Sequence, residues 1–208
     1  MEPNSIVKTF LQGGPIMWPI LLTAIVALGV VIERVIWWTL ETKSRNPRLL
    51  NDVLTCIEVK DVEKASRISA NSADPVVRMI WHGLNHVHSS LQGAMQMAAG
   101  IELERAGRFL AVLDTTITLA PLLGLLGTVT GIMHSFSFVG SEQLAATKVS
   151  GGIAEALIAT ACGLAIAMFC LIPFNYFQTR IERLRFELET QATNVEVMLN
   201  ASESSQKK

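Results

Sequence analysis

The chain has 208 residues, of which half are hydrophobic and only 17% are charged. Its mean hydropathy of +0.39 is higher than that of ordinary soluble domains of this length, so the composition predicts an integral membrane protein embedded in a lipid bilayer. The formal net charge of −1 gives no indication of a nucleic-acid partner. Three cysteines without a CxxC pair exclude a disulfide framework and a zinc site.

The first predicted elements are an external N-terminal segment, residues 1–14, and an apolar run over residues 15–38. A spanning helix needs about 20 apolar residues, so this run predicts transmembrane helix 1. It has neither the basic start nor the small-residue cleavage site of a signal peptide, and it ends in Trp37 and Trp38. We therefore expect an uncleaved anchor with its tryptophans at the membrane interface.

Glu33 and Arg34 fall one turn before Trp37 and Trp38, where their side chains can extend to the membrane interface as a topological anchor. Residues 39–111 form a polar loop with helical periodicity. Asp74-Pro75 has the form of a helix start. From Val76 the apolar spacing continues to the next hydrophobic run without a strong breaker, which predicts one long helix entering the membrane. The loop also holds three histidines with no completing ligands, for which exposed positions are expected: His82, His86 and His88.

Two more spans follow, transmembrane helix 2 over residues 112–139 and transmembrane helix 3 over residues 151–177, joined by a short loop at residues 140–150. The C-terminal part, residues 178–208, is predicted to be a helix and tail. Its apolar stripe must pack against the helix of the first loop or against neighbouring copies. The stripe consists of Ile181, Leu184, Leu188, Val195 and Met198/Leu199.

The distribution of Lys and Arg predicts the orientation of the chain. Almost all of them lie between Arg34 and Arg108 or after Phe177. By the positive-inside rule the long loop and the C-terminus are cytoplasmic, whereas the N-terminus and the short loop are external.

Within the apolar runs the residues of interest are Thr128, Thr160 and Glu155. Small residues beside the threonines allow close helix approach, so the two hydroxyls can line a thin water path. The alternative is that each threonine only hydrogen-bonds within its own helix. Glu155 is either a carboxylate at interface level or a residue where ions enter the pore.

A threonine hydroxyl does not titrate, and a proton relay normally needs a carboxylate or histidine at depth. This chain has none near the midplane of a span, so a proton-conducting complex would take its central acid from another polypeptide. No nucleophile, phosphate-binding or metal motif is present. The sequence thus predicts no enzyme, no cofactor and no metal.

Two segments, APLLGLLGTVTGIMHSF (residues 120–136) and GGIAEALIATACGLAIA (residues 151–167), closely resemble the signatures of the MotA/TolQ/ExbB proton-channel family, ExbB/TolQ branch. The resemblance implies an all-α homopentamer of the bacterial inner membrane, with a pore formed by spans two and three. It makes Thr128 and Thr160 the polar pore residues and Glu155 the acidic residue toward the periplasmic end. Helix packing would involve Pro121, Gly124, Gly127, Gly131 and Gly163.

The resemblance also implies partners and a function. A dimer of a single-span ExbD/TolR-like protein would supply a membrane aspartate inside the pore. The chain would then be the channel-forming stator subunit of a proton-driven motor that energises a TonB-like protein. The alternatives are TolQ-like work on a TolA-like protein, coupling to sodium, and a non-conducting membrane scaffold.

Overall fold

A computed structural model describes residues 3–137 and 145–206. All regular secondary structure in these two ranges is helical, which confirms the predicted all-α class. In chain order the helices are α1 (Pro3–Gln12), α2 (Met17–Ser44), α3 (Pro47–Glu58), α4 (Val62–Ser69), α5 (Pro75–Leu84), α6 (Val87–Gly107), α7 (Leu110–Phe136) and α8 (Ala145–Gln206). The first part of the predicted short loop, residues 140–144, and the end of the second span, residues 138–139, lie outside the described residues, and the remaining residues of that loop belong to α8.

The chain divides into two compact units. The apolar unit comprises Met1–Glu33 and Phe109–Tyr176, and the polar unit comprises Arg34–Arg108 and Phe177–Lys208. Each is described by itself below.

Three of the described helices are long and apolar enough to cross a membrane, as predicted. They are α2, α7 and the Val149–Asn200 part of α8. The N-terminal segment before them is itself helical, and Phe10 of α1 packs against Met17 and Ile20 of α2.

Many outward-facing side chains of the apolar unit are themselves apolar: Leu22 is 63% exposed and Leu122 is 60% exposed in the single chain. An exposed apolar surface of this kind needs lipid or further protein around it.

The prediction of one uninterrupted helix from Val76 into the second span is wrong. The helix ends at Leu84, restarts at Val87, and is broken again between Gly107 and Leu110. At the second break Arg108 has an extended ψ of 133° and Phe109 is left-handed, with φ of +63°. Local sequence gave no sign of this break, since neither residue is a glycine or proline.

The end of α6 at this break is bound by Arg34, whose side chain is buried against protein. Its side chain is only 1% exposed, and Nη1 donates to the carbonyl oxygens of Arg105 at 3.1 Å and Ala106 at 3.2 Å. The last carbonyls of a helix have no partner within it, and a cation there is also favoured by the helix dipole. Arg34 therefore stabilises the end of α6.

The predicted helix start at Asp74-Pro75 is confirmed. The Asp74 carboxylate, 3% exposed, accepts hydrogen bonds from Val76 N at 2.9 Å and from Asn46 N at 2.8 Å. Because the same carboxylate caps α5 and holds the residue before α3, it joins two helices of the polar unit.

A buried ion pair joins α5 to α6. Arg78 Nε donates to Glu102 Oε1 at 3.0 Å, and Glu102 is 6% exposed. Burial alone would lower the pKa of the Arg78 guanidinium, but its hydrogen bond to Glu102 and the charge of that carboxylate raise the pKa above its ordinary value. The Arg78 guanidinium therefore stays charged at physiological pH.

The C-terminal part of α8 belongs to the polar unit and packs against α6, the first of the two arrangements predicted for its apolar stripe. Leu188 and Met95 lie along the same groove between these helices. Four stripe residues of α8 are buried, Ile181, Leu184, Leu188 and Val195. The predicted continuation of span three as a helix is thus confirmed by an α8 that runs from Ala145 to Gln206.

Candidate functional site: the contact between α7 and α8

Spans two and three touch along a line of small residues in the apolar unit. A Cβ added to Gly124 would lie 3.0 Å from the Thr160 Cα, and one added to Gly131 would lie 2.9 Å from the Gly152 carbonyl oxygen. A Cβ on Gly163 would overlap the Ala120 carbonyl oxygen. At these distances only glycine lets the two backbones approach so closely.

The other two residues predicted for helix packing are Gly127 and Pro121. A Cβ on Gly127 would meet the Ala159 side chain at 2.6 Å, so this glycine also lies at the α7–α8 contact. Pro121 is half-buried inside α7, and the helix continues through it.

The close contact yields a direct test in Gly163→Ala. We expect this variant to weaken the α7–α8 pairing by about 1–3 kcal/mol, because the new methyl group pushes the α8 backbone away from the α7 backbone at Ala120. The matched control is Gly151→Ala on the same helix, where an added Cβ meets nothing within 4 Å. Thermal unfolding of the detergent-purified protein measures the difference, and equal midpoints for the two variants would contradict the contact.

Thr160 lies at the α7–α8 contact, opposite Gly124. Its hydroxyl donates across the contact to the Gly124 carbonyl oxygen at 2.9 Å and is also 3.2 Å from the Ala156 carbonyl oxygen of its own helix. The side chain is half-buried in the single chain. Since the hydroxyl proton points to backbone carbonyls, the lone pairs of the oxygen remain to accept a hydrogen bond.

Thr128 is one turn along α7 from Gly124 and is also half-buried. Its hydroxyl donates to the Leu125 carbonyl oxygen of its own helix at 2.6 Å, the local arrangement that membrane threonines usually adopt. As at Thr160, the oxygen keeps its acceptor capacity. Both threonines can therefore accept a hydrogen bond from water or from a protonated carboxylic acid.

Glu155 is half-buried and lies against the turn between α1 and α2. A Cβ on Gly14 would overlap the Glu155 Oε1 atom and lie 2.5 Å from its Cδ. Gly14 has φ of +74°, a conformation that favours glycine. The turn thus brings bare backbone beside the carboxylate, a contact that sequence spacing did not predict.

His82 and His86 are exposed near the α5–α6 junction, and the side chain of His88 is outside the described set. No cluster of three potential metal ligands occurs among the described residues.

Asp114, in the second turn of α7, is an exposed carboxylate that the sequence analysis did not single out, although it is the only acidic residue of the 112–139 run.

Comparison with known proteins decides the family. The model of the MotA/TolQ/ExbB proton channel family matches residues 71–190 of the chain. The chain belongs to this family. It is a multi-pass protein of the inner membrane, in a family of transport-associated membrane channels, as the resemblance implied.

Relatives come from both named branches. An ExbB-like biopolymer transport protein of Synechocystis is 32% identical over 90% of this chain and 92% of its own length. The biopolymer transport protein ExbB of Salmonella typhimurium is 31% identical over 87% of this chain and 85% of its own length. The Tol-Pal system protein TolQ of Pseudomonas aeruginosa is 41% identical, over 51% of this chain and 47% of its length. The chain is therefore a member of the ExbB/TolQ branch.

Proposed function

We propose that the α7–α8 contact lines the proton path of an inner-membrane motor and that this chain is its channel-forming stator subunit. The observation that carries the proposal is the pair of threonine hydroxyls in otherwise apolar spans. Each has its proton engaged by a backbone carbonyl and its oxygen free to accept. A hydroxyl oxygen that can only accept a hydrogen bond suits a group that donates one, such as a neutral carboxylic acid. That is the form in which an aspartate would carry a proton across the membrane.

The acid itself comes from a partner in this proposal. No Asp, Glu or His occurs in residues 115–133 or 156–174, the central parts of spans two and three. An ExbD/TolR-like single-span protein with a membrane aspartate would complete the path. Five copies of this chain around a dimer of that partner is the arrangement that the family implies.

Orientation follows from the charges. The polar unit and the C-terminus would be cytoplasmic and the N-terminus periplasmic, because Lys and Arg concentrate in residues 34–108 and after Phe177. Glu155 would then lie toward the periplasmic end of the path. Rotation of the pentamer around the dimer would energise an envelope protein.

The client is proposed to be a TonB-like protein, as for an ExbB-like subunit, since the ExbB relatives match nearly the full chain. A TolA-like client, as for TolQ, is the second candidate, supported by the similarity to TolQ over about half of the chain. Sodium in place of protons is a further variant of the same machine.

A non-conducting scaffold is the rival from another class. The hydrogen bond from Thr160 to Gly124 favours it, because that bond also serves helix packing. The two functions differ in whether a partner with a membrane acid is required.

The experiment is to co-express the chain with the single-span protein encoded beside it and to determine stoichiometry by native mass spectrometry. We expect a five-to-two complex that conducts protons when reconstituted in vesicles. An oligomer that does not bind the partner and leaves the vesicles proton-tight would establish the scaffold instead.

A further inference from the structure

Asp114 is an ionisable residue inside an apolar span whose position has no structural explanation. Its side chain is exposed in the single chain, and no hydrogen bond or ion pair of its carboxylate occurs among the described residues. Acidic residues in spans face a bundle interior or a water-filled cavity far more often than lipid. The carboxylate therefore calls for an aqueous or protein surrounding that the single chain does not supply.

Helix geometry places Asp114 on the same side of α7 as Thr128. At 3.6 residues per turn, positions fourteen apart differ by about 40° around the axis. The stripe they share is exposed or half-buried throughout and consists of Asp114, Thr118, Pro121, Leu125 and Thr128. We name it the Asp114 stripe.

The Asp114 stripe lies beside the face of α7 that meets the first span. The groove between α2 and α7 is lined on one side by Thr23 and Val26 and on the other by residues that include Ala111, Thr115 and Leu119. These three are about 60°, 100° and 140° from Asp114 around the α7 axis. The stripe thus flanks the α7–α8 contact on the side that α2 leaves uncovered.

Along the axis, Asp114 and Glu155 are far apart. The antiparallel contacts Gly131–Gly152 and Gly124–Thr160 put Glu155 at about the level of Thr128. Asp114 is fourteen residues from Thr128, which is about 21 Å of helix. The two carboxylates are therefore at different depths: Glu155 is level with Thr128, and Asp114 lies about 15 Å beyond the level of Gly124 and Thr160.

We infer that Asp114 is a proton-carrying residue that this chain contributes to the path, at the end opposite Glu155. Its carboxylate takes up a proton that has passed the threonines and releases it to the water at that side of the membrane, so it is regenerated in each cycle. The inference rests on the proposed function and extends it with an acidic residue of this chain.

Titratable groups on the neighbouring helices at this level are few. The register of the contacts brings Glu33 of α2 and Cys170 and Tyr176 of α8 to the same end of the apolar unit. In this inference Asp114 exchanges its proton with the water around it and with the partner chains.

The test is proton flux through the reconstituted complex with its partner, measured for Asp114→Asn, Asp114→Glu and Asp52→Asn across a range of pH. Asp52 is an exposed aspartate of α3 and serves as the matched control. We expect Asp114→Asn to lower flux about fivefold or more and to flatten its pH dependence, because the amide cannot exchange protons. Asp114→Glu should restore most of the flux, and Asp52→Asn should leave it unchanged.

Unchanged flux in an assembled Asp114→Asn complex would overturn the inference. If Thr160→Val blocks flux in the same assay, the proposed function stands while Asp114 is excluded; if neither variant changes flux, both fail. Should Asp114→Asn not assemble, the wild-type complex is treated with dicyclohexylcarbodiimide, which modifies protonated carboxyl groups. Modification of Asp114 that increases as pH falls would support the inference, and its absence would overturn it.

Discussion

Replacing Thr160 with valine is expected to reduce proton flux by about 100-fold or more while the oligomer stays assembled. Valine keeps the shape of the side chain but removes the oxygen that accepts a hydrogen bond in the proposed path. The hydroxyl also donates to the Gly124 carbonyl oxygen at 2.9 Å. Interhelical hydrogen bonds in membranes contribute only about 0.6 kcal/mol on average, so losing this one should not separate the helices.

Thr130→Val is the matched control for this experiment. Thr130 is on the same span as Thr128, but about 200° away around the helix axis, and its hydroxyl bonds the Leu126 carbonyl oxygen at 3.0 Å. It should therefore carry no part of the path. Flux in reconstituted vesicles and native mass spectrometry of the same samples separate conduction from assembly. Normal flux in Thr160→Val would remove the threonine from the path and favour the scaffold.

Gly14→Ala is expected to lower proton flux about tenfold by displacing the Glu155 carboxylate. An added methyl group would occupy the position of the Glu155 Oε1 atom, and the backbone at φ of +74° is itself unfavourable for alanine by about 1 kcal/mol. Glu155→Gln alone should impair flux less than Thr160→Val if the carboxylate shapes the path where ions enter. An equally complete loss would give Glu155 a larger role.

The effect of the contact between Gly14 and Glu155 can be isolated by shortening the Glu155 side chain. In a Glu155→Asp background the carboxylate is one methylene shorter, so Gly14→Ala should cost less there than in the wild type. Gly29→Ala serves as the control, since an added Cβ at Gly29 meets nothing within 4 Å. Equal losses from Gly14→Ala in both backgrounds would show that it acts through the turn itself and not through Glu155.

Most of the architecture could be predicted from the sequence because it depends on patterns that are local. Consecutive residues form the three apolar runs that are long enough to span a bilayer, and consecutive residues form the Asp74-Pro75 helix start. The structure has both features. Membership of the family was likewise carried by two contiguous segments, around Pro121 and Glu155, and the family model matches the region that holds them.

Features that involve residues distant along the chain were missed or wrong. The end of α6 and the burial of Arg34 depend on each other, since the Arg34 guanidinium donates to the last carbonyls of α6. Asp114 could have been found from its spacing to Thr128, which is visible in the sequence, but its exposure required the structure.

By itself, then, the sequence determined the class of protein, the three spans and the family, because hydropathy and signature segments are properties of neighbouring residues. Only the tertiary structure decided that Gly14 lies against Glu155, that Thr160 bonds across to Gly124, and that Arg34 is buried. Those contacts are set by how helices pack side to side. Their partners are separated by 141, 36 and 71 residues along the chain, a distance over which no local pattern carries information.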